Sequence, residues 1–94
     1  MNSISYNERK QIYELACQEY GIDAQVVIAI EEMSELTKEL CKNMRGSNNS
    51  SNLAEEIADV TIMMEQLRLI YDINDEVCNY MDVKIQRLQD RLEV

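Results

Sequence analysis

Apolar and polar residues follow a helical period along most of the chain. Apolar side chains recur at every third or fourth position, the spacing of one face of an α-helix, and Gly21 and the polar segment 46–51 interrupt this pattern. Short connections between helices favour an antiparallel four-helix bundle, and residues 1–94 are expected to form one all-α domain. The expected helices occupy about residues 7–20, 24–44, 53–71 and 75–92, with Asn7, Asp23, Asn52 and Asn74 as N-caps.

The third predicted helix is apolar on two opposite sides. One side carries Ile57, Met63 and Leu67, and the other carries Ala58 and Ile62. A helix that is apolar on both sides is normally buried between layers. In a chain with so few helices, this pattern favours subunits that pack together, most simply as a two-fold dimer, although a central helix in a monomer gives the same pattern.

Two pairs of acidic residues have the spacing that places carboxylates on one face of a helix. Glu32 and Glu35 lie three positions apart in the second helix, as do Glu56 and Asp59 in the third. If the two helices fold back on each other, the four carboxylates converge, and each pair repels by roughly 3 kcal/mol at about 5 Å. The pattern therefore predicts a site for hard divalent cations that are bound through oxygen.

Two structural explanations compete with a metal site. An acidic cluster on a helix is most often a solvated face, and Glu32 borders the apolar arc of its helix without entering it. Glu56, however, falls inside the apolar arc of the third helix and Asp59 at its edge, where an unpaired carboxylate is costly. A salt bridge to a buried base would also satisfy these acids, but Arg68, the nearest base, projects from another side of the helix, which favours a cation.

The composition excludes several classes of function. The 94 residues include no His, no Pro and two Gly, and they carry a formal charge of −9. The absence of His removes Ser-His and Cys-His nucleophiles and His-based zinc or di-iron sites. The net charge disfavours nucleic acid and anionic membranes as partners. Three separated cysteines, with no signal peptide and no long apolar run, predict a cytoplasmic protein with buried thiols.

Basic residues are also ordered along two helices. Lys84 and Arg87 flank the apolar stripe of the fourth helix, and the second helix carries a comparable basic strip. Either set can neutralise phosphate oxygens, although ordinary solvent-exposed charges give the same pattern. We take Lys84 and Arg87 as candidate substrate-binding residues. The apolar stripe of the fourth helix consists of Val77, Met81, Ile85, Leu88 and Leu92, and the basic strip of the second helix consists of Lys38, Lys42 and Arg45.

The acidic motifs resemble the signature of a known family. Glu31-Glu32-x-x-Glu35, followed after the polar break by Glu56-x-x-Asp59, is similar to the split motif of the MazG-like all-α nucleoside triphosphate pyrophosphohydrolases. The likeness covers about residues 25–92, which is most of the chain. Members of that family cleave a nucleoside triphosphate between the α and β phosphates, release the monophosphate and pyrophosphate, and assemble as dimers or dimers of dimers.

The resemblance also implies roles for individual residues. It implies that Glu32, Glu35, Glu56 and Asp59 hold Mg²⁺, with Mn²⁺ as an alternative ion. Glu31 and Glu35 become the candidate catalytic residues, which orient the attacking water or accept its proton. The main alternative is a non-catalytic MazG-like helical module for oligomerisation or regulation. Because the chain has no Trp or Phe and only five Tyr, its base preference is not predicted.

Overall fold

Four α-helices account for nearly all of the chain. The computed structural model describes residues 3–94, so the first two residues of the predicted domain lie outside it. Regular structure within that span is entirely helical, which confirms the all-α prediction. None of the helices in residues 3–94 combines the length and the apolar character needed to cross a bilayer. The helices are α1 (Tyr6–Tyr20), α2 (Ile22–Met44), α3 (Ser50–Ile70) and α4 (Asn74–Leu92).

The helices begin earlier than the sequence pattern predicts. Ser5 caps α1 in place of Asn7, because its side chain accepts a hydrogen bond from the backbone N–H of Glu8 at 3.1 Å. The other three predicted caps lie inside their helices. Asp23, Asn52 and Asn74 are helical, and the N-caps are Gly21, Asn49 and Ile73.

A single residue, Gly21, separates α1 from α2. Its φ of 91° lies in a region that residues with a side chain rarely adopt. Its backbone N–H donates to the carbonyl oxygen of Cys17 at 2.9 Å, which closes the end of α1. Because the chain reverses within this one residue, α2 starts at once at Ile22 and Asp23 has no opportunity to act as its cap.

α2 and α3 pack side by side as an antiparallel hairpin, which forms the main packed unit of the protein. Ala29 and Met63 are buried between them, and the small side chain of Ala29 allows the helices to approach closely. Three polar residues are buried on the same inner surfaces of the hairpin. These residues are Gln25, Glu39 and Gln66.

A network around Glu65 fastens α1 to α3. The Arg9 guanidinium donates to both carboxylate oxygens of Glu65, at 3.0 and 2.9 Å, and the hydroxyl of the buried Tyr13 donates to Oε1 at 2.8 Å. The hydrogen bond from Arg9 is the main reason that the pKa of Glu65 is lowered, with a smaller contribution from Tyr13 and an opposing one from desolvation. α1 is therefore held on one side of the hairpin by a polar clamp.

Neutralising Glu65 is expected to cost stability at neutral pH and little in acid. Because folding lowers the pKa of Glu65, its contribution is complete above the unfolded value, about 4.3, and is lost as pH falls through the folded value. We expect Glu65→Gln to lower the free energy of unfolding by about 1–2 kcal/mol at pH 7, allowing for screening of a partly exposed pair. Urea unfolding from pH 7 to 3 should show this difference shrinking. Glu19→Gln, at an exposed position, is the control, and a difference that does not change with pH would contradict the assignment.

α4 stands apart from the other helices. Within the described span it contacts α3 alone, and none of its residues is buried. Its apolar stripe is consequently open to solvent, with Ile85 59% and Leu92 61% exposed. An isolated helix of this length is only marginally stable in water, so a stripe of this kind normally packs against another surface.

The hairpin also has an uncovered apolar face on the side away from α1. At 100° per residue, Ile30, Met33 and Leu40 of α2 project to the same side of the hairpin as Ile57 of α3, opposite to Glu65 and the α1 clamp. The side chains of these four residues are 39–55% exposed. We call this set the hairpin apolar face. The hairpin apolar face and the α4 stripe together leave eight large apolar residues of the single chain exposed to solvent.

A single copy of the chain is more extended than a compact domain of the same length. Its radius of gyration is 16.0 Å, whereas about 12 Å is expected for a compact domain of this length. Its accessible surface is 7465 Å², whereas about 5,600 Å² is expected for its mass. The excess, roughly 1,800 Å², is larger than the about 800 Å² that each partner buries in a standard protein–protein interface.

Candidate metal centre

Three carboxylates meet at the middle of the hairpin. Glu32 comes from α2, whereas Glu56 and Asp59 come from α3, where their three-residue spacing puts them on one face. One oxygen atom from each of the three lies within 4.8 Å of the others. The antiparallel pairing of the helices therefore brings together acids that are more than twenty positions apart in sequence.

The three carboxylates are half-buried, and this environment disfavours the charge of Glu32 and Glu56. Desolvation is the main cause of the raised pKa of Glu32, followed by the charges of Asp59 and Glu56. The pKa of Glu56 is raised for the same reason, with desolvation first, then the charge of Asp59 and that of Glu35. One oxygen of Glu56, Oε2, is fully buried and has no hydrogen-bond partner among residues 3–94. An orphaned buried carboxylate oxygen is a costly feature that a bound cation would remove.

No basic side chain in residues 3–94 is paired with this cluster. The ion pairs in that part of the chain join Arg9 to Glu65 and Lys42 to Glu39. The salt-bridge explanation considered for Glu56 and Asp59 is therefore absent from the described structure. Oxygen-only ligands that are close together and only partly hydrated suit Mg²⁺ or Mn²⁺ better than zinc or copper.

The structure places the other predicted site residues outside this cluster of three. Glu31 and Glu35 are exposed on α2, although the charge of Glu35 is close enough to raise the pKa of both Glu32 and Glu56. Lys84 and Arg87 are exposed on α4, which contacts α3 but not α2. Within one described chain, neither of these two bases forms an ion pair with the three acids.

One acidic residue next to the cluster was not singled out by the sequence motifs. Glu39 is buried, and its pKa is lowered mainly by a hydrogen bond from the Asn49 side chain at 2.6 Å and also by Lys42 at 3.5 Å. Asn49 donates to the backbone carbonyl of Glu39 as well, which ties the α2–α3 loop to α2. The signal that could have found it is its position seven residues after Glu32, which is two turns further along the same face.

Glu39 therefore acts differently from the three clustered acids. Its partners satisfy its charge, whereas Glu56 has a buried oxygen with no partner. Its negative charge nevertheless adds to the field that raises the pKa of Glu56. In comparisons with known proteins, no family model matches the chain, and neither a curated protein nor a solved structure is found to be similar to it.

Proposed function

We propose that this protein is a Mg²⁺-dependent nucleoside triphosphate pyrophosphohydrolase of the MazG-like all-α kind. It would cleave a nucleoside triphosphate between the α and β phosphates. The observation that carries the proposal is the meeting of Glu32, Glu56 and Asp59 within 4.8 Å, with a buried, unpartnered oxygen on Glu56. The likeness of the split acidic motif to that family supports the same reading.

The donor set supports a magnesium-type site in particular. All candidate ligands are carboxylates, and the chain has no His that would favour a softer ion. Glu35, one turn beyond Glu32 on α2, is the fourth candidate ligand and remains solvent-accessible. Mg²⁺ retains several waters when it binds to proteins, so three or four carboxylates are enough to hold it beside a phosphate.

The remaining chemistry is assigned to exposed groups outside the cluster of three. Bound Mg²⁺ would supply charge neutralisation for the triphosphate and a lower pKa for a coordinated water. Glu31 or Glu35 would orient the attacking water and accept its proton as the bond between the α and β phosphates breaks. The ammonium of Lys84 and the guanidinium of Arg87 would donate hydrogen bonds to phosphate oxygens.

The proposal includes a homodimer or a dimer of dimers. The excess surface of roughly 1,800 Å² per chain supports self-association, because it is enough for a standard interface on each copy. The α4 stripe and the hairpin apolar face are the two surfaces that a second copy would cover. Since α4 does not contact α2 in its own chain, Lys84 and Arg87 would reach the acids most readily from a neighbouring chain.

A nucleotide panel tests the proposed reaction. Ribo- and deoxynucleoside triphosphates are incubated with the protein in Mg²⁺, in Mn²⁺ or in EDTA, and pyrophosphate, orthophosphate and monophosphate are quantified. We expect equal amounts of pyrophosphate and monophosphate from at least one nucleotide, and none in EDTA. Orthophosphate without pyrophosphate would contradict cleavage between the α and β phosphates. A complete lack of turnover, with normal Mg²⁺ binding, would contradict the enzyme.

A non-catalytic module for oligomerisation or regulation is the second candidate. The observation that favours it is the exposed apolar stripe along α4, because large exposed apolar patches mark protein–protein interaction sites. This candidate predicts that the Glu56→Gln, Asp59→Asn double variant assembles as the wild type does and loses no measurable activity. Retained assembly with loss of pyrophosphate release would favour the enzyme.

A further inference from the structure

A groove of about 470 Å³ lies between α1 and the last turns of α3. The hydrogen bonds from Arg9 and Tyr13 to Glu65 fix the spacing of the two helices beside it. Its apolar lining residues are Tyr13, Cys17, Ile22, Leu69 and Ile70. Apart from the buried Tyr13 they are at least partly exposed, and no residue of α4 lines the groove in residues 3–94. An apolar groove that no other element covers indicates a docking surface.

The α4 helix of the same chain lies away from this groove. The Arg68 guanidinium donates a hydrogen bond to the sulfur of Met81 at 3.5 Å, which places α4 on the side of α3 that carries Arg68. At 100° per residue, Arg68 and the groove residue Gln66 project from nearly opposite sides of α3. The α4 stripe and the groove are therefore two apolar surfaces that do not meet each other within one described chain.

The charges beside these two surfaces are complementary. Three bases follow one edge of the α4 stripe at 100° per residue, namely Lys84, Arg87 and Arg91. The groove lining carries two acids, Glu14 and Asp72, that form no ion pair in residues 3–94, and one base, Lys10. The net negative charge of the groove attracts the basic edge of α4. The hairpin apolar face suits that edge less well, because the positive Arg68 borders it on α3.

The C-terminal turns of α4 combine the apolar and the charged features. Leu88 and Leu92 are 48% and 61% exposed, and Arg91 lies beside them on the basic edge. Lys84 and Arg87 lie two turns and one turn before Arg91, so they remain available for the phosphate contacts assigned to them. Arg91 has no part in the proposed reaction and is the base that we assign to the rim of the groove.

The accessible surface of one chain is sufficient for a reciprocal contact. If each of two copies inserts its α4 into the groove of the other, every chain buries one stripe and one groove. The excess surface is roughly 1,800 Å² per chain, and a standard interface takes about 800 Å² from each partner, so both contacts can be accommodated. Exchange in both directions closes the dimer, whereas docking in one direction alone would continue as an open chain of subunits.

We propose that the groove between α1 and α3 binds the C-terminal turns of α4 from a second copy of this chain, with Leu88 and Leu92 on the apolar lining and Arg91 beside Glu14 and Asp72. This inference rests on the self-association included in the proposed function, and it identifies the surface that receives α4. It does not depend on the proposed reaction. The hairpin apolar face then stays available for a separate contact between dimers.

Crosslinking between differently labelled copies tests the docking. Cys17 lines the groove and is free to react, so it serves as the reporter on that side once Cys41→Ser and Cys78→Ser remove the other thiols. Leu88→Cys adds a thiol in the α4 stripe, ¹⁴N and ¹⁵N copies are mixed, and a short bis-maleimide is followed by digestion and mass spectrometry. We expect a link between Cys17 and position 88 that carries both labels. It should be at least about tenfold more abundant than with Gln86→Cys, which projects away from the stripe.

Charge reversal across the two surfaces provides an independent test. Glu14→Arg and Arg91→Glu each place like charges at both contacts of a reciprocal dimer, so we expect each to raise the dissociation constant by about tenfold. An equimolar mixture of the two variants should recover the affinity of the wild type, because both contacts of the mixed dimer again join opposite charges. The control is Glu19→Arg, the same change on an exposed part of α1 outside the groove.

The outcomes separate the groove from self-association in general. Association of the copies without a link from Cys17 to position 88 above the control would overturn the groove and leave the hairpin apolar face as the interface. A link that carries a single label would mean that α4 enters the groove of its own chain, which would overturn the exchange. A monomeric wild type would overturn self-association as well. In the wild type, maleimide should modify Cys17 more slowly in the assembled protein than after dilution, and equal rates would overturn the docking even if every variant failed to fold. None of these measurements involves hydrolysis, so their failure leaves the proposed reaction standing.

Discussion

Glu56→Gln is expected to abolish pyrophosphate release and, in metal-free buffer, to make the protein more stable. Glu56 has a raised pKa because it is desolvated next to Asp59, so its charged form costs folding free energy at pH 7. Neutral Gln removes the desolvated charge and its repulsion by Asp59, and we therefore expect a higher Tm. In the proposed enzyme the same change would remove a ligand of the Mg²⁺ ion, which would contribute several kcal/mol to the stabilisation of the transition state, so we expect a loss in kcat/KM of about 10³-fold or more.

The shift in Tm on adding Mg²⁺ should also differ between the wild type and Glu56→Gln. A ligand at one hundred times its Kd stabilises the folded state by about 2.7 kcal/mol, which for a domain of this size raises the Tm by about 10 °C or more. We expect this shift in the wild type and its loss in Glu56→Gln. Melts in EDTA, in Mg²⁺ and in Ca²⁺ measure both effects in one set of samples.

Glu55→Gln is the control for this experiment. Glu55 is adjacent in sequence and carries the same charge, but it is exposed and is not part of the cluster. It should retain both the activity and the Mg²⁺ shift of the wild type. Equal effects of the two substitutions would mean that overall charge, and not the cluster, governs metal binding. A metal-free Tm that falls in Glu56→Gln would contradict the repulsion inferred from its pKa.

Charges introduced into the α4 stripe are expected to separate the subunits. Ile85 and Leu88 are 59% and 48% exposed in a single chain, so two Glu residues there cause little damage to an isolated copy. In a dimer that buries the stripe, two unpaired charges would be desolvated at the interface, which raises the dissociation constant by at least about 10³-fold. Sedimentation equilibrium of Ile85→Glu, Leu88→Glu across a wide concentration range measures this change.

A second double variant provides the control for the added charge. Asn79→Glu with Gln86→Glu adds the same two charges to α4, but at 100° per residue both positions project well away from the stripe. This variant should assemble like the wild type. If the stripe variant remains as associated as this control, the α4 stripe is not an interface, and the hairpin apolar face becomes the surface to test. If the wild type itself is monomeric at high concentration, self-association is excluded.

The local pattern of apolar residues predicted which segments are helical, but it did not predict where each helix begins. The period of apolar residues predicts all four helices, and each is found within a few residues of its expected span. The predicted caps were wrong because neighbouring groups compete for the same role. Ser5 reaches the N–H of Glu8, and Asn49 is engaged with Glu39, so Asn7 and Asn52 are left inside their helices. Such competition depends on turn geometry and on distant partners, which a local preference does not contain.

The candidate metal centre could likewise be predicted only in part from the sequence. The three-residue spacing placed Glu56 and Asp59 on one face, because the angular position of a residue on a helix is a local property. The same spacing predicted that both Glu32 and Glu35 of α2 would meet them, and the structure brings Glu32 into the cluster of three while Glu35 is exposed. The burial of Gln66 could not be anticipated, since burial depends on everything that packs around a residue.

The amino-acid sequence by itself determined that this protein is helical and that each of two helices carries acidic residues three positions apart on one face. Only the tertiary structure decided the register between α2 and α3, the burial of one oxygen of Glu56 and the separation of α4. The physical reason is that periodicity along a helix is set by backbone geometry over a few residues. The pairing of helices depends instead on many weak contacts between residues far apart in the chain, whose sum no single segment contains.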